Sequence, residues 1–428
     1  METIRAICLV VIAVFFCAPR ADGAELRGHG GPVRAIAVSA DGKTAITGSF
    51  DSRAIIWSLE TGEAKGVLQF HDDQVNAVAA LPDNRFASAG ADGRIALWRA
   101  GQSAPLSILE GHTGPVAALA LSPDGLKLAS ASWDGSVRLW PLNGGKPRAL
   151  QGHQGNVNAV AFLPDGTLVS GGNDATVIMW ADDGRVLGRI SMPAPITTIA
   201  TTSTGRLLIG GIDGVLRTLE RSGAIVKEVK AFSGPLTALA ISEDDSHVAV
   251  SAIRGAVSLF STDDLEFVRS FDIAGVAIWS LAFSSKDRTL LAGCGDHIVR
   301  EFNVGTGRRL NTTSSDEADP MMAFAGNPDA EVYRACIACH TLDPDDGNRA
   351  GPTLSGIFGR RIASVPGYSY SPAFREMDII WTPETVSKLF ELGPAIYTPG
   401  TKMPQQTIND SEERAALIRF LKAEAGDE

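Results

Sequence analysis

Three side chains toward the C-terminal end are spaced for chemistry that no apolar core requires. Cys336-Ile337-Ala338-Cys339-His340 sets two thiols three residues apart, with an imidazole directly after the second. Thiols so placed can hold a metal, close a redox disulfide, or add across the vinyl groups of a porphyrin and leave the imidazole beneath its iron. A zinc site wants about four Cys or His ligands. From residue 327 onward the sequence offers only these three. A dithiol of redox type belongs in a β-α-β setting, and no such pattern surrounds the string. It therefore reads as the attachment site of one covalently held haem c. Cys336 and Cys339 supply the thioethers, and His340 is a metal ligand on the axis of the iron.

The other end of the chain says where such chemistry takes place. Arg5 precedes an apolar run from Ile7 to Cys17, and Ala21-Asp22-Gly23-Ala24 follows. A basic residue, a short apolar stretch and a small-x-small end make a secretory signal, cut after Gly23. The run is shorter than the roughly twenty residues a bilayer span needs, so no stable membrane span is expected after cleavage. Retention as an anchor stays open. Cleavage removes Cys8 and Cys17 and leaves Cys294, Cys336 and Cys339, which is no disulfide framework. Export together with a covalent haem points to the periplasm of a Gram-negative bacterium.

Between these ends the 428 residues, 44% of them apolar, suffice for more than one core. The net charge of −11 argues against nucleic acid as a partner, because phosphates need Lys and Arg to displace counterions. A repeated phrase fills most of the chain. It ends at Trp57, Trp98, Trp140, Trp180, Leu219, Phe260 and Phe302, positions 39 to 42 residues apart. Six residues before each stand Asp51, Asp92, Asp134, Asp174, Asp213, Arg254 and Asp296. The first four units open at Gly28-His29, Phe70-His71, Gly111-His112 and Gly152-His153. Within a unit, short β-rich runs such as Lys127 to Ser132 and Ser136 to Trp140 flank Asp-Gly turns, which is hairpin chemistry.

This pattern resembles the WD-repeat family, whose units fold as four-stranded propeller blades. The resemblance implies a hydrogen-bonded tetrad in each of the first four blades. The sets are His29, Thr47, Asp51 and Trp57; His71, Ser88, Asp92 and Trp98; His112, Ser130, Asp134 and Trp140; and His153, Ser170, Asp174 and Trp180. These histidines are read as structural, with the buried Asp drawing donors from His, hydroxyl and indole. Blades five to seven lack the opening His and the hydroxyl, and the sixth has Arg254 for Asp. The seventh could be completed by Glu25-Leu26-Arg27 or by Arg308 to Thr312. His247, His297 and Cys294 are the spare strong ligands of this half, with Cys294 read as a buried thiol.

From Asn311 the repeat stops and a polar, breaker-rich stretch reads as a linker. The C-terminal hundred residues resemble the class I cytochromes c, the soluble single-haem electron carriers of mitochondria and bacteria. The resemblance rests on the C-x-x-C-H string, Gly351-Pro352-Thr353-Leu354-x-Gly356-x-x-Gly359-Arg360, Pro366-Gly367-Tyr368-Ser369-Tyr370-Ser371, Trp381 and Pro399-Gly400-Thr401-Lys402-Met403. It implies that Met403 is the second axial ligand and that the Pro352 carbonyl accepts the other N–H of His340. It further implies that Arg360, Tyr370 and Trp381 surround a haem propionate. Phe374 and Leu389 stand where the family carries a distal Asn and Tyr, so the usual distal hydrogen-bond network is not expected. Two helices should frame the site. One starts at Asn327-Pro328 and runs into Cys336. The other is opened by a capping box at Asp410-Ser411-Glu412-Glu413, with Val332 or Tyr333 meeting its stripe of Leu417, Phe420 and Leu421.

The expected architecture is multidomain: a signal over 1–23, an all-β seven-bladed propeller over 24–312, a linker over 313–326 and an all-α cytochrome c domain over 327–428. An iron with His and Met on its two axial sides has no open position and suits electron transfer, so no catalytic residue is assigned. The propeller would serve as a docking platform for redox partner proteins. Two alternatives stay open: a propeller-based oxidoreductase fed by the haem, and a haem-based sensor of redox state or gas. From Pro328 to Glu428 there are 10 Lys/Arg and 15 Asp/Glu, a balance of −5. The domain therefore cannot present a lysine face to a partner.

Overall fold

The computed structural model describes residues 25–253, 255–273, 275–284, 288–310, 320–334, 336–337, 340–343, 351–366, 368, 370–399, 401, 403 and 406–426. The signal segment, Arg254, Cys339 and most of the linker lie outside the described residues. Among the described residues there are seven four-stranded antiparallel sheets, six with their strands in sequence order and the seventh joining the last three strands to the N-terminal Leu26–Arg27. The first runs Val33–Val38, Thr44–Ser49, Arg53–Ser58 and Ala64–Gln69. Its two middle strands are almost wholly buried, whereas the outermost is mostly exposed and buries only Leu68. Blades form because the turns between strands are cheap to make: Gly135, at φ 83°, closes an Asp-Gly turn that a side chain would strain. In every blade the pairing of the first two strands slips once near its start, as between Val33 and Ala35 or Ile278 and Ser280. Residues at the slip reach the next blade: Asn76 Nδ2 donates to the Val116 carbonyl at 3.2 Å and Asn158 Nδ2 to that of Ile196 at 2.8 Å.

The seventh blade combines both closures that the sequence leaves open. Leu26–Arg27 pairs with Ile298 and Val299 of strand Ile298–Asn303, and farther along the same strand Arg309 bridges Phe302. Glu25 ties the two pieces together, accepting from Arg27 at 2.6 Å and from Arg309. The last strand's edge is therefore covered at both ends, which removes a template for aggregation.

The tetrads are chains rather than clusters about the Asp. In the third blade Trp140 Nε1 donates to Ser130 Oγ at 2.8 Å, Ser130 Oγ lies 2.7 Å from His112 Nε2, and His112 Nδ1 lies 2.8 Å from Asp134. With Nδ1–H given to the carboxylate, Nε2 must accept from the hydroxyl, so one neutral imidazole satisfies both neighbours. The same order holds for His29, His71 and His153. The indole thus reaches the hydroxyl and not the Asp, because the Asp lies on the far side of the imidazole. Blades five and seven solve the loss of His differently. Arg217 forks onto Asp213, and Arg300 onto Asp296, each from four residues downstream.

After the propeller the described elements are short. Four α-helices are present: α1 (Pro372–Glu376), α2 (Pro383–Leu392), α3 (Pro394–Tyr397) and α4 (Ser411–Glu424). Among the described residues the only extended pairing here is one bridge, Arg361 to Ile380. The helix expected from Asn327 is a single 3-10 turn, Ala330–Tyr333, because Asn327 Oδ1 takes the Asp329 N–H and Asp329 is not yet helical. Two backbone bonds follow this turn, from Ile337 N–H to the Tyr333 carbonyl and from His340 N–H to that of Cys336. The end of the stretch read as linker is folded: Pro320–Phe324 is a 3-10 turn that buries Met321. Apolar side chains there override the polar linker signal, since Phe324 packs edge-on to Tyr333 and Phe420. Tyr333 in turn stacks on Phe420 at 4.8 Å between centroids, so the 3-10 turn crosses α4. At the start of α4 the Asp410 carboxylate caps the Glu412 N–H at 2.7 Å. A Thr382–Thr385 capping box with Pro383 at the first turn starts α2, a helix for which no expectation was drawn although the cap-then-Pro signal is present. Among the described residues no helix is long and apolar enough to cross a membrane.

Candidate functional site

The C-terminal elements surround a cleft of about 1120 Å³ of atom-free space, open on one side, which is room for a ligand far larger than a metal ion. His340, Pro352, Arg360, Tyr370, Trp381 and Met403 all line it, as does the buried Cys336. Residues spread over nearly seventy positions of sequence thus meet in one cavity. Cys339 lies outside the described residues.

His340 is held from behind. Its Nδ1 donates to the Pro352 carbonyl at 2.7 Å, which fixes the tautomer and leaves Nε2 with its lone pair and no protein partner among the described residues. Burial pushes the imidazole pKa down, so the ring is a neutral donor of electrons rather than a cation. Gly351 is required beside it, because a Cβ there would collide with the imidazole ring. Met403 is placed by its backbone, whose N–H donates to Thr401 Oγ1 at 3.0 Å, and its side chain packs on the apolar core of the domain.

The opposite character appears at Arg360. Its two terminal nitrogens donate to the carbonyls of Ser355 and Thr353, each at 2.7 Å. Among the described residues no carboxylate pairs with this guanidinium. Burial lowers its pKa, and burial raises that of the Tyr370 phenol beside it. Tyr370 packs between Tyr368, edge-on at 4.8 Å, and Phe374, which stacks at 6.2 Å. Phe374 and Leu389 both line the cleft with hydrocarbon. On the same lining, Ser371 Oγ is buried without a hydrogen-bond partner among the described residues. A cation without an anion and an orphaned hydroxyl call for an acceptor group. A haem fits this donor set: nitrogen and sulfur donors for iron, apolar walls for the ring, and Arg360 with Ser371 for carboxylates.

Sequence reading missed Ser371 as an individual contributor, though it stood at the end of a motif already singled out. It also missed Phe50 and Gln74, two propeller residues that line the same cleft. No local signal could have found them, since each sits in a loop whose neighbours in space are set only by the tertiary fold. None of the spare ligands of the propeller lines this cleft, although His297 shares a second, adjoining one with His340. Cys294 is fully buried, with its thiol pushed up to about 12 by that burial, and His247 Nδ1 lies 2.6 Å from Ser246 Oγ. Among the described residues no three His, Cys, Asp or Glu side chains gather as a metal set.

Comparison with known proteins falls along the same division. The WD domain, G-beta repeat, matches residues 22–58, 62–99, 103–141, 144–181 and 266–303, which are blades one to four and the seventh. Cytochrome c of Sesamum indicum is 39% identical over 110 residues, covering 26% of this chain and 96% of that protein. Cytochrome c of Arabidopsis thaliana is 43% identical over 89 residues, covering 21% of this chain and 79% of its own. A cytochrome c homolog of Rickettsia felis is 35% identical over 122 residues, or 27% and 69%.

Proposed function

The chain belongs, through the domain that bears its C-x-x-C-H string, to the cytochrome c family, and we propose that it is a periplasmic one-electron carrier with a single covalent haem c, docked to redox partner proteins by its propeller. The observation that carries this reading is the convergence of His340 and Met403 on one apolar cleft. Bound there, a haem supplies a reversible one-electron couple. Cys336 and Cys339 would hold it covalently. The Pro352 carbonyl accepts the His340 Nδ1 proton, which would leave Nε2 with its lone pair for the iron. Met403 would hold the iron by its thioether, opposite in character to the imidazole, a donor pair that suits electron transfer rather than substrate binding. Arg360, Ser371, Tyr370 and Trp381 would carry the propionates and keep water from their charge. The propeller contributes a rigid scaffold whose WD repeats are of the type used in protein interaction, and the export signal accounts for the compartment.

The test is Met403→Ala in protein matured with haem. It should keep its haem, lose the spectrum of a methionine-ligated iron, bind carbon monoxide readily and shift to a lower potential. A variant that matches the natural protein in spectrum and potential would sink the ligand assignment. More than one haem or metal per natural chain would favour an oxidoreductase instead.

A further inference from the structure

We propose that the propeller is part of the haem environment: Phe50 and Gln74 form a wall of the haem cleft and set how far water and small reductants reach the cofactor. This rests on the reading of the cleft as a haem site. Both residues come from loops on the same face of the propeller. Phe50 follows strand Thr44–Ser49 directly, and Gln74 precedes strand Val75–Leu81. Phe50 is 6% exposed and Gln74 is also 6% exposed, although loop-tip positions on a propeller face usually meet solvent. Both line the cleft that holds His340 and Met403.

The wall is braced from the propeller side. Phe50 lies 5.7 Å from Trp279 between ring centroids, and Ile253 and Ala277 complete a buried apolar cluster drawn from three blades. Arg34 lies over the Trp279 ring at 5.8 Å and donates to its carbonyl. The position that corresponds to Phe50 in the third blade is Trp133, also aromatic but only partly buried and bonded to Asn158. Phe50 packs on the Trp279 cluster and borders the cleft, whereas Trp133 does neither. An apolar ring at a haem edge excludes water, which disfavours the more highly charged ferric state and so raises the potential. The propeller is then more than a platform: the cytochrome domain without it would have a leakier, lower-potential site.

The experiment uses the full chain matured with haem, with Phe50→Ala and Gln74→Glu compared against natural protein and a Trp133→Ala control. Phe50→Ala should keep full haem content, show a several-fold larger ferric fraction at a fixed poise, and be reduced several-fold faster by ascorbate. Gln74→Glu preserves shape while placing a carboxylate in the wall, so its potential should fall and become pH-dependent. Trp133→Ala should leave both readouts unchanged. If Phe50→Ala loses its β-rich circular dichroism, the Gln74→Glu result decides. Haem-loaded variants whose potential and reduction rate match the natural protein would overturn the proposal while leaving the cytochrome reading intact. Natural protein without covalent haem would remove both.

Discussion

The propeller and the cleft use the same residue types to opposite ends. In the first four blades each His spends both ring nitrogens on protein partners, as His112 does on Ser130 and Asp134. In the cleft His340 spends one, on the Pro352 carbonyl, and among the described residues nothing takes the other. Arg217 and Arg300 fork onto Asp213 and Asp296, whereas Arg360 meets only neutral carbonyls among the described residues. Ser130 is bonded on two sides, whereas Ser371 Oγ has no partner among the described residues. A polar group that the protein has already satisfied is architecture. One left unsatisfied at a cavity wall is the outline of a ligand, because burial without a partner costs about 1–3 kcal/mol that folding alone would not retain.

The largest effect that could break this contrast is at histidine. His340→Ala should abolish the low-spin haem spectrum nearly completely while leaving the propeller's unfolding transition in place. His112→Ala should do the reverse. An absorption spectrum and a urea titration on each variant check the pair, and exchanged outcomes would end the distinction. Next in size is the ion pair of blade seven. Asp296→Ala leaves Arg300, 4% exposed, without its carboxylate, and breaking a buried pair costs about 3–5 kcal/mol. The carboxylate itself is 29% exposed, which puts the loss at the low end, about 3 kcal/mol. Replacing both partners, as Asp296→Ala with Arg300→Met, should restore most of it, since a buried pair is weak support against an apolar core. Urea midpoints of the single and double variants measure this. A double variant as unstable as the single one would mean that Arg300 does more than answer Asp296.

Much of this fold and site is legible in the sequence, and what is not has physical reasons. The Trp, Leu or Phe ends mark all seven blades and the Asp six residues earlier marks six of them, because a turn and a buried strand end recur wherever a blade must be closed. Arg217 and Arg300 went unread as replacements for His, because their role appears only when the side chain folds back four residues within its own blade. The seventh blade was ambiguous because two short segments share one edge, and neither alone covers it. The C-x-x-C-H string announced its neighbourhood through covalent spacing, a one-dimensional signal. Ser371, Phe50 and Gln74 did not, because their place in the cleft is a matter of packing between distant segments. Met321 and Phe324 were hidden in a polar stretch whose composition outweighed two apolar side chains.

A smaller effect sharpens the order of the tetrad. Ser130→Ala leaves Trp140 Nε1 and His112 Nε2 facing each other without the hydroxyl that joins them. Stranding buried donors and acceptors costs about 1–3 kcal/mol, read from the urea midpoint of the propeller.

The smallest effect is the response to acid, and its sign follows from the tetrads. Burial pushes the Asp92 carboxyl up, but the hydrogen bond from His71 more than offsets this, together with Arg94, and holds it at about 2 against an ordinary 3.8. A carboxyl depressed on folding stabilises the native state above its unfolded value and loses that contribution as pH falls through its folded value. His153 behaves in the same direction for a different reason. Burial lowers its pKa below 6.5, more than Asp174 raises it, so the unfolded chain takes up a proton first as the solution is acidified. Its share of stability is complete above about pH 6.5 and shrinks below it. The urea midpoint of the propeller should therefore be flat from about pH 8 to 7, fall gently toward pH 5, and fall steeply below about pH 4. His153→Gln should flatten the gentle segment and leave the steep one. A midpoint that rose on acidification from pH 7 would mean that the tetrad imidazoles are held as cations, and the chain from indole to hydroxyl to neutral ring to carboxylate would have to be redrawn.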